Sequence, residues 1–244
     1  MDVIISLTVW IFCCAVAVIL FPVSVIIWLV TFPFDREKAI IHWWLVFQGI
    51  FFSRIIPLWS INVDGRQKVK KGYTYVIISN HQSMLDILIL NCLRLRFRWI
   101  SKIENYKTPV IGWYLRMAKY ITIDRGNKES KAVMMAKSED SLRKGISIMI
   151  FPEGTRSTTR EIGPFKLGAF QLALSAGTPI LPVVIDGTGG VLPKHGLIFS
   201  GGHKIKIRIL EPVMPEEFGT ADPEQLAAKL RNIMTDELQR NRYA

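Results

Sequence analysis

The chain has 244 residues, half of them hydrophobic, and its 31 Lys and Arg against 20 Asp and Glu give a formal net charge of +11. That length supports one substantial core with an appendage. A basic balance favours an anionic partner. Nucleic acid fits the charge but not the N-terminus, where residues 3–34 carry no charged side chain, whereas acidic lipid headgroups fit both. Phosphorylated substrates or an acidic carrier protein gain from the same field. Cys13, Cys14 and Cys92 offer neither a disulfide framework nor a zinc spacing, and they read as small hydrophobes.

Residues 3–30 form an apolar run of 28, longer than the about 20 that cross a bilayer core. A cleaved signal peptide is the alternative, disfavoured because the run lacks a basic leader and a small-residue cleavage site. Pro22 is placed to kink it. The stretch 31–35 reads as a break, with Thr31 or Asp35 available as a cap. Residues 36–59 then form a second helix, apolar around most of its circumference, and Trp10, Trp28, Trp43, Trp44 and Trp59 suit the headgroup interface. The expectation is a membrane-anchoring helical hairpin over 1–60, spanning or half-immersed, and a second domain over 61–244. Arg36 and Lys38 favour a cytoplasmic connection if the first segment spans alone.

Past residue 61 the pattern changes. Residues 73–79, 146–151 and 179–185 read as buried strands, 98–101 and 120–123 as short ones, and 204–209 as an alternating strand with its charged side facing water. Helices are expected at 84–94, 128–144 and 166–176, and after Asp222 as N-cap with Pro223 at the first helical position. Strands alternating with helices imply an α/β fold with a mostly parallel sheet covered by helices, in which ligands gather beyond the carboxyl ends of the strands.

Polar clusters occur at those strand ends. In Asn80-His81-Gln82-Ser83-Met84-Leu85-Asp86, His81 can act as a general base and Asp86 can fix its tautomer. Five positions within one helix would place the two about 140° apart. The pair therefore requires His81 in the loop and Asp86 in the first turns, with Ser83 as a cap. In Phe151-Pro152-Glu153-Gly154-Thr155-Arg156-Ser157, Gly154 permits a tight path, Thr155 adds a hydroxyl and Arg156 can grip a phosphate. Glu153 would orient an arginine or contact substrate hydroxyls. Lys102 and Asp124-Arg125 suit phosphate or carboxylate groups, and 186–190 reads as a flexible, amide-rich loop without the pattern of a nucleotide P-loop. His42, His195 and His203 read as interfacial or surface histidines.

In order and spacing, NHQSMLD at 80–86, YITIDR at 120–125, FPEGTRS at 151–157 and LPVVI at 181–185 resemble the glycerolipid acyltransferase family, most closely its bacterial 1-acyl-glycerol-3-phosphate branch. The resemblance implies transfer of an acyl chain from acyl-CoA or acyl-acyl-carrier-protein to the 2-hydroxyl of lysophosphatidic acid. In that picture His81 is the base and Asp86 holds it, while Arg156, Arg125 and Lys102 bind phosphate, and Glu153, Gly154 and Thr155 belong to the acceptor site. It further implies no metal or cofactor, an anionic membrane as partner, and the cytoplasmic face of a bacterial inner membrane as location. Direct transfer needs no Ser or Cys nucleophile, in keeping with the missing Gly-x-Ser-x-Gly elbow. A related acyltransferase with another acceptor and a noncatalytic membrane-binding protein remain the alternatives.

Overall fold

Runs of β-branched residues bounded by turn formers become seven strands in the computed structural model, which describes residues 2–219 and 222–243. These are β1 (Trp59–Asp64), β2 (Val76–Ser79), β3 (Phe97–Lys102), β4 (Ile121–Ile123), β5 (Ser147–Ile150), β6 (Ile180–Asp186) and β7 (His203–Ile209). They lie in the order β1-β7-β6-β2-β5-β3-β4, and only β6 and β7 pair antiparallel. The mostly parallel α/β architecture is therefore as expected.

Period-two alternation sorts the strand residues between two cores. Ile77, Met149, Leu181, Val183 and Ile185 face one cluster, which includes Ile89, Leu90, Phe97 and Trp99. Val76, Ile78, Ile148, Ile180 and Val184 face the other. That second face is covered by α6 (Lys128–Arg143), α7 (Gly168–Ala176) and α9 (Pro223–Tyr243), which supply Met134, Phe170 and Leu230. In β7 the alternation is as read, with Ile205, Ile207 and Ile209 buried and Lys204 exposed.

The N-terminal helix α1 (Asp2–Thr31) runs without interruption past Pro22. Its most apolar window has a mean hydropathy of 2.9, and only 6% of that window is buried. Asp35 caps α2 (Ala39–Ile55) by accepting from the Ala39 and Ile40 N–H groups at 2.8 Å each. This second helix is shorter than expected. It stops before Pro57, which has no N–H to continue the ladder, and Trp59 already belongs to β1, a strand the sequence reading missed.

The hairpin is built into the body of the protein rather than appended to it. Phe199 N–H donates to Ser6 Oγ at 2.8 Å, Trp10 Nε1 donates to the Leu197 carbonyl at 2.8 Å, and Ser24 Oγ meets Tyr114 Oη at 3.3 Å. Tyr114 lies on α5 (Ile111–Met117), which with α4 (Ile103–Lys107) forms a pair of short helices also absent from the sequence reading. At the turn between α1 and α2, Arg98 on β3 donates to Glu37 at 2.7 Å and Lys144 approaches the same carboxylate at 3.4 Å. His42 corrects another expectation. It is buried, with Nε2 3.1 Å from the Leu95 carbonyl, because α2 packs that face onto the body.

Two further differences lie near the strand ends. The helix expected over 84–94 is one α-turn, α3 (Asp86–Ile89), continued by a 3-10 turn over Leu90–Leu93. The segment read as a flexible loop is α8 (Thr188–Val191), a helical turn whose four residues are all buried.

Candidate active site

Strand β2 ends at Ser79, and the next residue locks the following loop in place. Asn80 Nδ2 donates to the Ile185 carbonyl at 2.8 Å while Asn80 Oδ1 accepts from Ile185 N–H at 2.9 Å, tying the loop to β6. His81 therefore leaves the sheet in a fixed direction. Its ring stacks on Phe151, with centroids 3.9 Å apart and planes 7° apart, and Phe151 in turn stacks on Trp99.

Asp86 is the first residue of α3, so the pair avoids the unfavourable spacing of two residues within one helix. Its Oδ2 lies 2.8 Å from His81 Nδ1 and accepts from the N–H groups of Gln82 at 2.7 Å and Ser83 at 2.9 Å. Asp86 is fully buried, and its Oδ1 has no hydrogen-bond partner among the described residues. An ionised carboxylate only accepts, so with Asp86 ionised a neutral His81 would carry its proton on Nδ1 and leave the lone pair of Nε2 open. The His81 side chain retains 14% exposure, which leaves that opposite edge reachable. Ser83 is not a candidate nucleophile. It is buried, its Oγ donates to the Leu192 carbonyl at 2.7 Å, and the same atom accepts from Leu85 N–H at 3.2 Å; the capping role expected of it is not taken up, since Leu85 precedes α3 without a side-chain cap.

Glu153 is buried, with Oε1 accepting from His81 N–H at 2.8 Å and Oε2 from Gly163 N–H at 3.0 Å. Both oxygens face backbone donors, so it braces the histidine loop. Burial pushes its carboxyl above the usual range, and the hydrogen bonds from Gly163 and His81 offset part of that rise. Ser157 N–H donates to the His81 carbonyl at 2.7 Å, a second strap between the two motif loops.

Beyond Glu153 the chain turns at Gly154 (φ +71°), where a β-carbon would sit 3.0–3.1 Å from the outer atoms of the Lys166 side chain. The positive φ calls for glycine, whereas the flexible end of Lys166 could give way. Thr155 is exposed and Arg156 half-exposed, and Arg156 has no ion pair among the described residues. Lys102 ends β3 and lies 3.4 Å from Glu104, while Arg125 follows β4 and senses the same carboxylate. The sheet thus gathers His81, Asp86, Glu153 and Arg156 at the ends of neighbouring β2 and β5. It places Lys102 and Arg125 as a second basic group past β3 and β4.

Sequence reasoning missed Asn80, Phe151 and Lys166. Asn80 and Phe151 open the two quoted motifs but were given no role there, whereas Lys166 reaches Gly154 from twelve positions away.

An acyltransferase family model matches residues 60–186. A 1-acyl-sn-glycerol-3-phosphate acyltransferase of Salmonella typhimurium is 31% identical over 194 residues, covering 78% of each chain. A chloroplastic protein of the same description from Arabidopsis thaliana is 32% identical over 210 residues, which is 83% of this chain. The present chain spans 58% of that plant protein and 52% of a Brassica napus relative. The crystal structure of a 1-acyl-sn-glycerophosphate acyltransferase from Thermotoga maritima superposes with a TM-score of 0.85 over 100% of this chain and 97% of the other. At 23% identity this likeness speaks for the fold.

Proposed function

This chain belongs to the acyltransferase family, and from that premise we propose that it transfers an acyl chain from a thioester, acyl-CoA or acyl-acyl-carrier-protein, to the 2-hydroxyl of 1-acyl-sn-glycerol-3-phosphate, making phosphatidic acid. The observation that carries this reading is the open Nε2 of His81, oriented through Nδ1 by a buried Asp86 beside an uncommitted Arg156. Nε2 takes the proton of the acceptor hydroxyl as its oxygen attacks the thioester carbonyl. The carbon–sulfur bond then breaks, and the imidazolium returns the proton to the departing thiolate. Asp86 stabilises the imidazolium between those steps. Arg156 is the principal phosphate ligand, with Thr155 beside it and Lys102 and Arg125 extending the positive field.

Both acceptor and product carry acyl chains, so the reaction belongs at a membrane surface, and we place it at the cytoplasmic face of a bacterial inner membrane. The docking of α1 suggests how the hairpin sits there. Its contacts with the body run from Ser6 to Ser24. At 1.5 Å per residue that is about 27 Å of helix, nearly the about 30 Å hydrocarbon core. An upright α1 would draw the charged body into lipid, so the hairpin lies within one leaflet.

The test is acyl transfer in anionic vesicles by wild type and His81→Ala, with both donor types and several acceptors. His81→Ala is expected to lose nearly all transfer. Normal transfer by that variant would reject the mechanism, and preference for glycerol-3-phosphate over its 1-acyl derivative would reject the acceptor.

A further inference from the structure

Three arginines from separate elements meet where α2 ends, away from the histidine. Arg54 occupies the last turn of α2, Arg66 follows β1, and Arg94 follows the 3-10 turn after α3. Arg66 is held rigidly. Its Nη1 donates to the Leu93 carbonyl at 3.1 Å and its Nη2 to the Cys92 carbonyl, which places the guanidinium beside Arg94. Arg54 lies close enough to Cys92 to act on its thiol.

All three guanidinium-bearing residues are exposed, and none makes an ion pair among the described residues. The charged side chains that act on Arg66 are Arg94 and Arg54, and no carboxylate is among them. Carbonyl acceptors satisfy the N–H groups of Arg66 but leave its charge. Burial pushes the Cys92 thiol above its ordinary value, and the neighbouring arginines oppose part of that rise. Holding like charges together costs energy unless an anion bridges them.

The surroundings indicate which anion. Ile55 next to Arg54 is exposed, and Phe47 and Ile40 face outward along the same helix, so the cluster sits at the rim of an apolar surface. An apolar helix ending in a cationic group is the arrangement that meets a bilayer at headgroup level. We propose that Arg54, Arg66 and Arg94 bind the phosphate of an anionic phospholipid in the leaflet that holds the hairpin. This setting rests on the membrane placement given above and is independent of the catalytic assignment.

Native mass spectrometry of the full chain in neutral detergent tests the idea, with phosphatidylglycerol and phosphatidylcholine added separately. One phosphatidylglycerol should be retained in preference to phosphatidylcholine. Arg54→Gln combined with Arg94→Gly should weaken that retention about 30-fold, the equivalent of about 1 kcal/mol for each of two charges. Arg94 has φ +55°, which glycine adopts without strain, so Arg94→Gly alone should fold at least as well as wild type and still lose about fivefold. Arg156→Ala should keep the preference, which separates this site from the acceptor site.

Unchanged phosphatidylglycerol retention in the Arg94→Gly and double variants would overturn the proposal. So would equal retention of phosphatidylcholine by wild type, or displacement of the lipid by millimolar inorganic phosphate, which would mark a free-anion site. Acyl transfer is assayed on the same preparations. Activity without lipid preference rejects this inference alone, and preference without activity rejects only the catalytic reading.

Discussion

Asp86→Asn separates orientation from charge in an unusually direct way. Asp86 Oδ2 accepts from His81 Nδ1 and from two backbone N–H groups, those of Gln82 and Ser83. The two backbone donors cannot turn away, so an asparagine must present its carbonyl oxygen to them. The His81 proton would still find an acceptor, and Nε2 would keep its lone pair. What disappears is the negative charge opposite the imidazolium. Two unit charges about 4 Å apart at an effective dielectric of about 20 interact by about 4 kcal/mol, so kcat should fall by roughly a thousandfold.

The new amide nitrogen would occupy the place of Oδ1, which is buried and without a partner among the described residues. That costs about 1–3 kcal/mol of stability, or about 2–4 °C of Tm per kcal/mol at this size. The assay is acyl transfer at saturating acceptor and donor, with circular dichroism melts on the same samples. A folded variant that loses less than about tenfold would show that Asp86 does not work through its charge, and the mechanism would have to be redrawn.

Other substitutions probe the surrounding scaffold. Glu153→Gln sets an amide nitrogen against one of two backbone donors, costing about 1.5–3 kcal/mol; it should lower kcat about tenfold with little change in acceptor KM, and the reverse pattern would return Glu153 to the acceptor site. The same residue predicts a pH dependence. Its carboxyl is raised in the folded protein, foremost by burial, so the native state holds that proton more tightly than the unfolded one. Its contribution to stability is greatest at low pH and falls as pH rises from the ordinary carboxylate value through the raised one. Urea melts of wild type and Glu153→Gln across that window should show their difference shrinking with pH, and a growing difference would contradict it. Gly112→Ala would bring a β-carbon within 2.2 Å of the Tyr106 carbonyl oxygen, a backbone atom that cannot swing aside. It should cost about 1–3 kcal/mol or more, read as a lowered Tm.

Much of the architecture was legible because hydrophobic runs carry it. The segments at 73–79, 146–151 and 179–185 are rich in β-branched residues and flanked by turn formers; the first two contain β2 and β5, and β6 runs one residue past the third, to Asp186. Strand β1 was missed although Ser60, Asn62 and Asp64 alternate with apolar residues, because the apolar helical pattern was carried through Trp59 and so took in the strand's first residue. The turn at Thr188–Val191 looked flexible from its glycines. Those glycines instead allow close approach, as Gly190 has no room for a β-carbon against the His203 ring. The dyad was legible as a candidate only through the order of its motifs. The bracing contacts of Glu153 were not legible for a physical reason: its partners are backbone N–H groups 72 and 10 positions away, and backbone donors leave no mark in a sequence.

The hairpin changes meaning most when packing is considered. Its second helix lies against α3 and the 3-10 turn that follows, and Gly49 admits the Asn91 side chain where a β-carbon would meet it at 2.4 Å. Asp86 is the first residue of that same α3. Glu37 at the hairpin turn is held by Arg98 on β3 and by Lys144 after α6. Burial raises its carboxyl, but the hydrogen bonds and charges of those two residues outweigh that and hold it below the usual range. A membrane anchor joined by a flexible linker would concentrate the enzyme at the surface and leave its orientation free. On the proposed reading the hairpin packs on the helix that begins with Asp86, so the depth at which α2 would rest also sets the height of His81 above the lipid. Such rigid coupling suits a reaction whose acceptor hydroxyl is itself confined to a narrow layer near the headgroups.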